Sequence, residues 1–149
     1  MKTFFKCLLL TSLIGSVAVA YASGANSSTI PLGSIKVLPH QTGKVSLASL
    51  QDQIIYNVSC TITDTTNIQN KTIMSFITDT CSGANKDFSL NGKDLGDICL
   101  GPFQVALPAQ QVNTFVAQSV YNWNGNINFI NTDDTDTIAV NNCVANPVV

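Results

Sequence analysis

The sequence contains no glutamate and no arginine. Nine aspartates and seven lysines carry all of its fixed charge. This double absence removes two good helix formers and leaves Asn, Thr, Val and Ile abundant, a composition suited to strands and turns. It also excludes chemistry. Without arginine there is no bidentate fork for a phosphate or a guanine edge, and a net charge of −2 supplies no basic field. Nucleic-acid binding is excluded on that ground. Without glutamate, a carboxylate pair for glycoside hydrolysis needs two aspartates. The nearest groups, Asp94 with Asp97 and Asp133 and Asp134 with Asp136, stand in turn-like sequence where solvated Asp is ordinary.

Histidine is equally scarce. His40 is the only one, between Pro39 and Gln41 at the end of a short strand candidate. Ser and Asp are plentiful enough to complete a triad on paper. However, no G-x-S-x-G elbow or other nucleophile context accompanies it, so an exposed loop histidine is expected and no catalytic set is assigned. Metal ligation finds no support either. The cysteines are widely spaced, unlike zinc ligands. Asn131-Thr-Asp-Asp-Thr-Asp136 is rich in oxygen ligands but lacks the Gly and terminal Glu of an EF-hand loop, and reads as an Asx-rich turn. No cofactor is expected.

Long apolar runs are absent except at the start. Lys2 and Lys6 precede an apolar stretch from Cys7 to Ala20, and Ala20-Tyr-Ala22 offers small residues to a signal peptidase. That is the pattern of a secretory signal, too short for a comfortable membrane span. Residues 1–22 are expected to be removed, with Cys7 among them. The product is then secreted or periplasmic, with no transmembrane segment. About 127 residues remain, enough for one domain with a real core. They carry five Lys against nine Asp.

Cys60, Cys81, Cys99 and Cys143 form an even set in an exported chain, which argues for two disulfides. Cys81 and Cys99 bracket Phe88-Ser-Leu-Asn-Gly-Lys-Asp-Leu95, whose Asn-Gly favours a type I′ hairpin pairing Leu90 with Lys93 and Phe88 with Leu95. The expected pairing is therefore Cys81–Cys99 and Cys60–Cys143. Cys60–Cys81 is the rival, because the intervening turn could make those strands neighbours.

The stretch Ile54–Thr63 is the clearest strand. Ile54, Tyr56, Val58, Cys60 and Ile62 fall on one face at a period of two, and polar residues alternate with them. Ser23–Gly33 is small and polar and reads as a flexible lead-in, so the domain spans residues 34–149. Further strands are expected at Ser34–Leu38, Gly43–Leu50, Thr72–Thr78, Ile98–Leu107 and Val112–Tyr121. Thr72–Thr78, apolar on both faces, belongs inside a sheet. Asp64-Thr-Thr-Asn67 reads as a turn. In Val112–Tyr121 a helical stripe competes with an alternation through Val112, Thr114 and Val116, and β-branched content decides for strand. Asn126–Asn131 and Thr137–Cys143 are expected to form a last hairpin around Thr132–Asp136, with Ile127, Phe129, Ile138 and Val140 inward. Cys143 is out of phase with Ile138 and Val140, so a bulge lies near Asn141-Asn142 or the strand changes sheet there.

These short, turn-punctuated strands point to an all-β fold, a single two-sheet β-sandwich. Its general look resembles immunoglobulin-like architecture, with an inward Cys on an early strand, a second Cys on a late one and a tryptophan between. The details depart from it. Trp123 lies far from Cys60, and Asn141 stands where such domains place a tyrosine. The resemblance thus covers architecture and not family membership.

Tyr121 and Trp123, in the Asn/Gly-rich stretch Tyr121–Asn126, are the candidate ligand or partner contact, unless Trp123 instead fills the end of the core. Asn26, Asn57 and Asn70 match the N-glycosylation sequon. The expected function is a non-enzymatic binding or structural module of the cell envelope or extracellular space, with a protein or glycan partner. The alternatives are a small exported hydrolase acting on envelope polymers and a secreted enzyme inhibitor.

Overall fold

The computed structural model describes residues 28–65, 72–78, 87–97 and 103–148. The expected signal segment 1–22, the sequons at Asn26 and Asn70, and Cys81 and Cys99 all lie outside the described residues.

Among the described residues, ten strands build two antiparallel sheets: β1 (Ile30–Val37), β2 (Thr42–Ser46), β3 (Tyr56–Asp64), β4 (Thr72–Thr78), β5 (Asp87–Leu90), β6 (Lys93–Asp97), β7 (Phe103–Leu107), β8 (Val112–Val120), β9 (Asn126–Asn131) and β10 (Ile138–Pro147). The larger sheet runs β1-β10-β3-β8-β5-β6 and the smaller β2-β9-β4-β7. β4 lies between β9 and β7, inside its sheet as expected. β1 begins at Ile30, ahead of Ser34. Among the described residues no helix is long and apolar enough to cross a membrane.

The sheets face each other across one core. Val45, Leu107, Ile127 and Phe129 of the smaller sheet pack with Val58, Ile62, Phe115 and Ile138 of the larger. Phe115 and Phe129 meet edge to face with ring centroids 5.2 Å apart, a favoured aromatic geometry. The buried phase of β3 is Tyr56, Val58, Cys60 and Ile62, as its alternation dictates.

Among these ten strands, only β5 and β6 are consecutive in sequence and neighbours in one sheet. Asn91 and Gly92 turn between them with φ of 53° and 76°, the left-handed conformations a type I′ turn needs. Asn91 also extends the sheet through its side chain. Its N–H donates to the Thr114 carbonyl, and its Oδ1 accepts from the Thr114 N–H, each at 2.8 Å. Leu90 pairs with Lys93, but Phe88 pairs with Gly96 and not with Leu95. A bulge adds one residue to β6, with Gly96 at φ 90° and its N–H donating to Asp94 Oδ1.

The last two strands do not form a hairpin. β9 belongs to the smaller sheet and β10 to the larger, so residues 132–137 arch across the core. Sheets stack about 10 Å apart, a distance that the five-residue Thr-Asp-Asp-Thr-Asp loop with its flank spans easily and a two-residue turn does not. Ile127, Phe129, Ile138 and Val140 are all buried, so the inward faces stand although the pairing does not.

β8 is a strand, with the opposite phase to Val112, Thr114 and Val116. Asn113, Phe115 and Ala117 face the core, whereas Val112 is 68% exposed. Phe115 outweighs the valines in buried apolar area and sets the face. Asn113 is accommodated because its amide donates to the carbonyls of Ile62 (3.3 Å) and Gln111 (3.0 Å) and accepts from Asn91 Nδ2 (2.8 Å). Asp64 is the buried end of β3 and not an open turn residue, and Asp136 is buried as well.

One disulfide, Cys60–Cys143, is present among the described residues. It joins β3 and β10, neighbours in the same sheet. Immunoglobulin domains instead bridge their two sheets with the B–F disulfide. The out-of-phase position of Cys143 is resolved by a bulge. The β10–β3 register shifts between Asn141 and Val144, and Asn142 takes φ 52°. The extra residue rotates the strand's second half, so Ile138 and Val140 point inward before it and Cys143 and Ala145 after it.

Candidate functional site

The strand directions separate two ends of the molecule. One gathers the β1–β2 turn, the arch 132–137, the end of β3 and the start of β8. The other gathers the start of β3, the end of β8, the corner 121–125 and the segment between β2 and β3.

The first end holds His40, and places Asp134 beside it. His40 Nε2 lies 3.0 Å from Asp134 Oδ1 across the two connections, a pairing that the sequence separation conceals. The side chains are 65% and 89% exposed. A contact this open to water gains little. The arch itself is an Asx-rich turn. Asp133 Oδ1 accepts from the backbone N–H groups of Thr135 (2.8 Å) and Asp136 (2.9 Å). Those bonds favour the carboxylate, led by the one from Thr135, and hold Asp133 below its ordinary pKa. Buried Asn131 is the hub. Its amide donates to the carbonyls of Val37 (3.1 Å) and Asp136 (2.6 Å), and its oxygen accepts from the Asp133 N–H. These side chains spend their polar groups on fixing the chain. Among the described residues, no group of three or more His, Cys or Asp side chains is placed to hold a metal ion.

The opposite end holds Tyr121 and Trp123. β8 stops at Val120, and Asn122–Asn124 form a single 3₁₀ turn. Buried Asn124 closes it. Its N–H donates to the Tyr121 carbonyl (3.1 Å), and its Oδ1 accepts from the Tyr121 N–H (2.8 Å). Gly125 leaves the turn at φ 78°, a conformation that favours glycine, and its carbonyl accepts from the Leu47 N–H (3.0 Å). The Asn122 amide donates to Asp52 Oδ1. The corner is thus tied to the segment after β2 by backbone and side chain. On this frame the Tyr121 and Trp123 rings stack, with centroids 4.0 Å apart and planes 18° from parallel. Trp123 remains 45% exposed, so it does not fill the core end. The core is closed there by Leu47, Leu50, Tyr56 and Val120.

Asn57, the sequon residue within the described part, lies on the exposed face of β3. Its Oδ1 accepts from the Ser119 N–H at 3.4 Å, beside a bulge where Ser119 adopts φ 53°. No protein-family model matches this chain, and neither a curated protein nor a solved structure matches it.

Proposed function

We propose that this chain is an exported, non-enzymatic binding module whose contact surface is the Tyr121–Trp123 corner. One observation carries the reading: a stacked aromatic pair, 45% exposed at its tryptophan, stands on a turn closed by its own hydrogen bonds and tied by others to the segment after β2. A rigid aromatic anchor loses little conformational entropy on binding, which is why such residues dominate contact energies. Export follows from the basic start, the short apolar stretch and the small residues before Ser23. The product begins at Ser23 and carries a second disulfide, Cys81–Cys99, on a sandwich of immunoglobulin-like general architecture.

The hydrolase reading draws on His40 and Asp134. Both stand open to solvent, whereas acid–base catalysis gains from a site that excludes water.

The test is co-sedimentation of the pure protein with isolated envelope material. Replacement of Trp123 by Ala is expected to weaken binding at least about tenfold while leaving the unfolding midpoint in place. Unchanged binding removes the corner from the proposal. Hydrolysis of an envelope polymer that disappears in His40→Ala makes the protein an enzyme instead. The mass of the exported species, oxidised, is expected to match residues 23–149 less four thiol hydrogens. Recovery of the full-length chain with Met1 retained overturns export.

A further inference from the structure

We propose that Asn57 carries an N-linked glycan, which covers the outer face of the larger sheet. This rests on the export reading above, because the acceptor sequence is used in secreted chains.

Asn57-Val58-Ser59 has the acceptor sequence Asn-x-Ser, with no proline in the middle. It stands on β3 and not in a loop, so access comes from the face it occupies. Successive strand residues point to opposite faces. Asn57 and Ser59 therefore share the outer face, while Val58 is buried in the core. Asn57 is exposed and Ser59 half-buried.

The Asn57 amide is oriented for the linkage. Tyr56 pairs with Val120 and Val58 with Ala117, so Gln118 and Ser119 of β8 bulge opposite the single residue Asn57. The Ser119 N–H donates to Asn57 Oδ1 at 3.4 Å. A backbone N–H only donates, so the amide oxygen faces β8 and Nδ2 points elsewhere. On the β10 side, Asn146 pairs with Asn57 in register, and its Oδ1 accepts from Thr29 Oγ1 at 2.7 Å. Among the described residues, Asn57 Nδ2 makes no hydrogen bond. A glycosylated amide keeps its oxygen and one N–H, so attachment leaves the Ser119 bond in place.

The surface around Asn57 is uncharged. β3, β8 and β10, adjacent in the larger sheet, contain one charged residue, Asp64, and it is buried. The other charges of this sheet's strands stand to either side, at Asp87, Lys93, Asp94 and Asp97 on β5 and β6 and at Lys36 on β1. The outer face between them carries Ser59, Thr61, Thr114 and Val116, exposed or half-buried. A broad strand face without charge lacks the repulsion that keeps protein surfaces apart. A glycan is bulky and solubilising, and supplies that separation.

The co-reactant is an oligosaccharide linked to a lipid diphosphate. Asn57 Nδ2 attacks the anomeric carbon of its first sugar. The bond from nitrogen to that carbon forms, and the bond from the carbon to the diphosphate oxygen breaks. The electron pair leaves with the lipid diphosphate, and one amide proton passes to a base of the transferase. Nothing is oxidised or reduced. The Ser59 hydroxyl completes the sequence that the transferase reads.

The full chain is produced in a eukaryotic secretory host, once with its own start and once behind an independent signal peptide. Cleavage before Asp, after reduction, isolates Asp52–Thr63. In protein secreted from its own start and holding the Cys60–Cys143 bond, this peptide is expected to carry a glycan with an N-acetylglucosamine core. Enzymatic release in heavy-oxygen water is expected to leave a labelled aspartate at position 57, and the polypeptide mass expected above is then read after release. Ser59→Ala is expected to abolish the modification and Ser59→Thr to retain it. Bare Asn57 in protein secreted behind the independent signal overturns the proposal, and a mature start at Ser23 from the native chain then leaves export standing. A glycan found only behind the independent signal overturns export and leaves Asn57 an acceptor. A glycan that persists in Ser59→Ala, or that is confined to chains lacking the Cys60–Cys143 bond, also overturns the proposal.

Discussion

The two sheets of this protein differ in regularity. In the smaller sheet, β2, β9, β4 and β7 pair without a register shift. In the larger, the pairings β1–β10, β10–β3, β3–β8 and β5–β6 each contain one or more. The shifts coincide with positive φ at Gly33, Gly96, Ser119 and Asn142. Each bulge changes which residues face the core partway along a strand. The larger sheet uses that freedom to bring Cys143 onto Cys60, whereas the smaller keeps a strict alternation and relies on packing. Bulging therefore makes a covalent tie possible where simple alternation would turn one cysteine outward.

The strongest way to break this contrast is to remove the tie. Cys60→Ala with Cys143→Ala opens a loop across a sequence separation of 83 residues. The expected loss is about 4–5 kcal/mol in the chain-entropy model, measured by urea unfolding without reductant. A loss under about 1 kcal/mol would mean that the bulge, not the bond, holds Cys143 inward.

Packing comes next. Phe129 in the regular sheet and Phe115 in the bulged one are both fully buried and touch. Either Phe→Ala substitution is expected to cost about 3–5 kcal/mol, with a coupling of about 0.5–1.5 kcal/mol in the double-mutant cycle. Additive losses would show that the two sheets do not share this contact.

Smaller effects separate bulge from close packing. Asn142→Val puts a β-branched residue at φ 52° and is expected to cost about 1–3 kcal/mol, while Asn142→Gly stays near zero. In the smaller sheet, Gly43→Ala is expected to cost about 1–3 kcal/mol for a different reason. Its new Cβ would lie 2.6 Å from Val37 Cγ2 and 2.8 Å from Ile35 Cδ1, where β2 meets β1. If Asn142→Val is harmless, the bulge is plastic and the contrast between the sheets is shallow.

The least effect is expected at the arch that joins the sheets. His40→Ala is expected to change stability by less than about 0.5 kcal/mol. Asp133, held below its ordinary value of 3.8, stabilises the fold above that pH, and the contribution fades as acid protonates it in the folded state. An NMR titration of its carboxyl is expected to show a midpoint below 3.8. A higher midpoint would mean that the Thr135 and Asp136 bonds do not form in solution.

How far the chain could be read ahead of its structure follows from the same contrast. Ile127 and Phe129, on an unbroken alternation, were legible as inward residues, and so was the core face of β3. On β8 the apolar pattern was ambiguous, and Phe115 decided the face against Val112. The Tyr121–Trp123 pair was visible as a candidate by residue type, but its exposure was not. That depended on Leu47, Leu50, Tyr56 and Val120 closing the core without it. The His40–Asp134 contact had no local signal, because two different inter-sheet connections bring the residues together.

The sequence by itself determined what local chemistry dictates. Missing Glu and Arg and abundant β-branched residues favoured strands, alternation set the core face of β3, and Asn91-Gly92 made the hairpin between β5 and β6. The phase conflict at Cys143 already required an irregularity near Asn141-Asn142. Tertiary structure alone decided that β9 and β10 belong to different sheets, that residues 132–137 arch across the core, and that Trp123 faces solvent. The physical reason is range. A turn type or a side-chain alternation is fixed by a few neighbouring residues, whereas sheet membership is fixed by which faces can bury one another. That choice compares surfaces far apart in the chain, and no local window contains both of them.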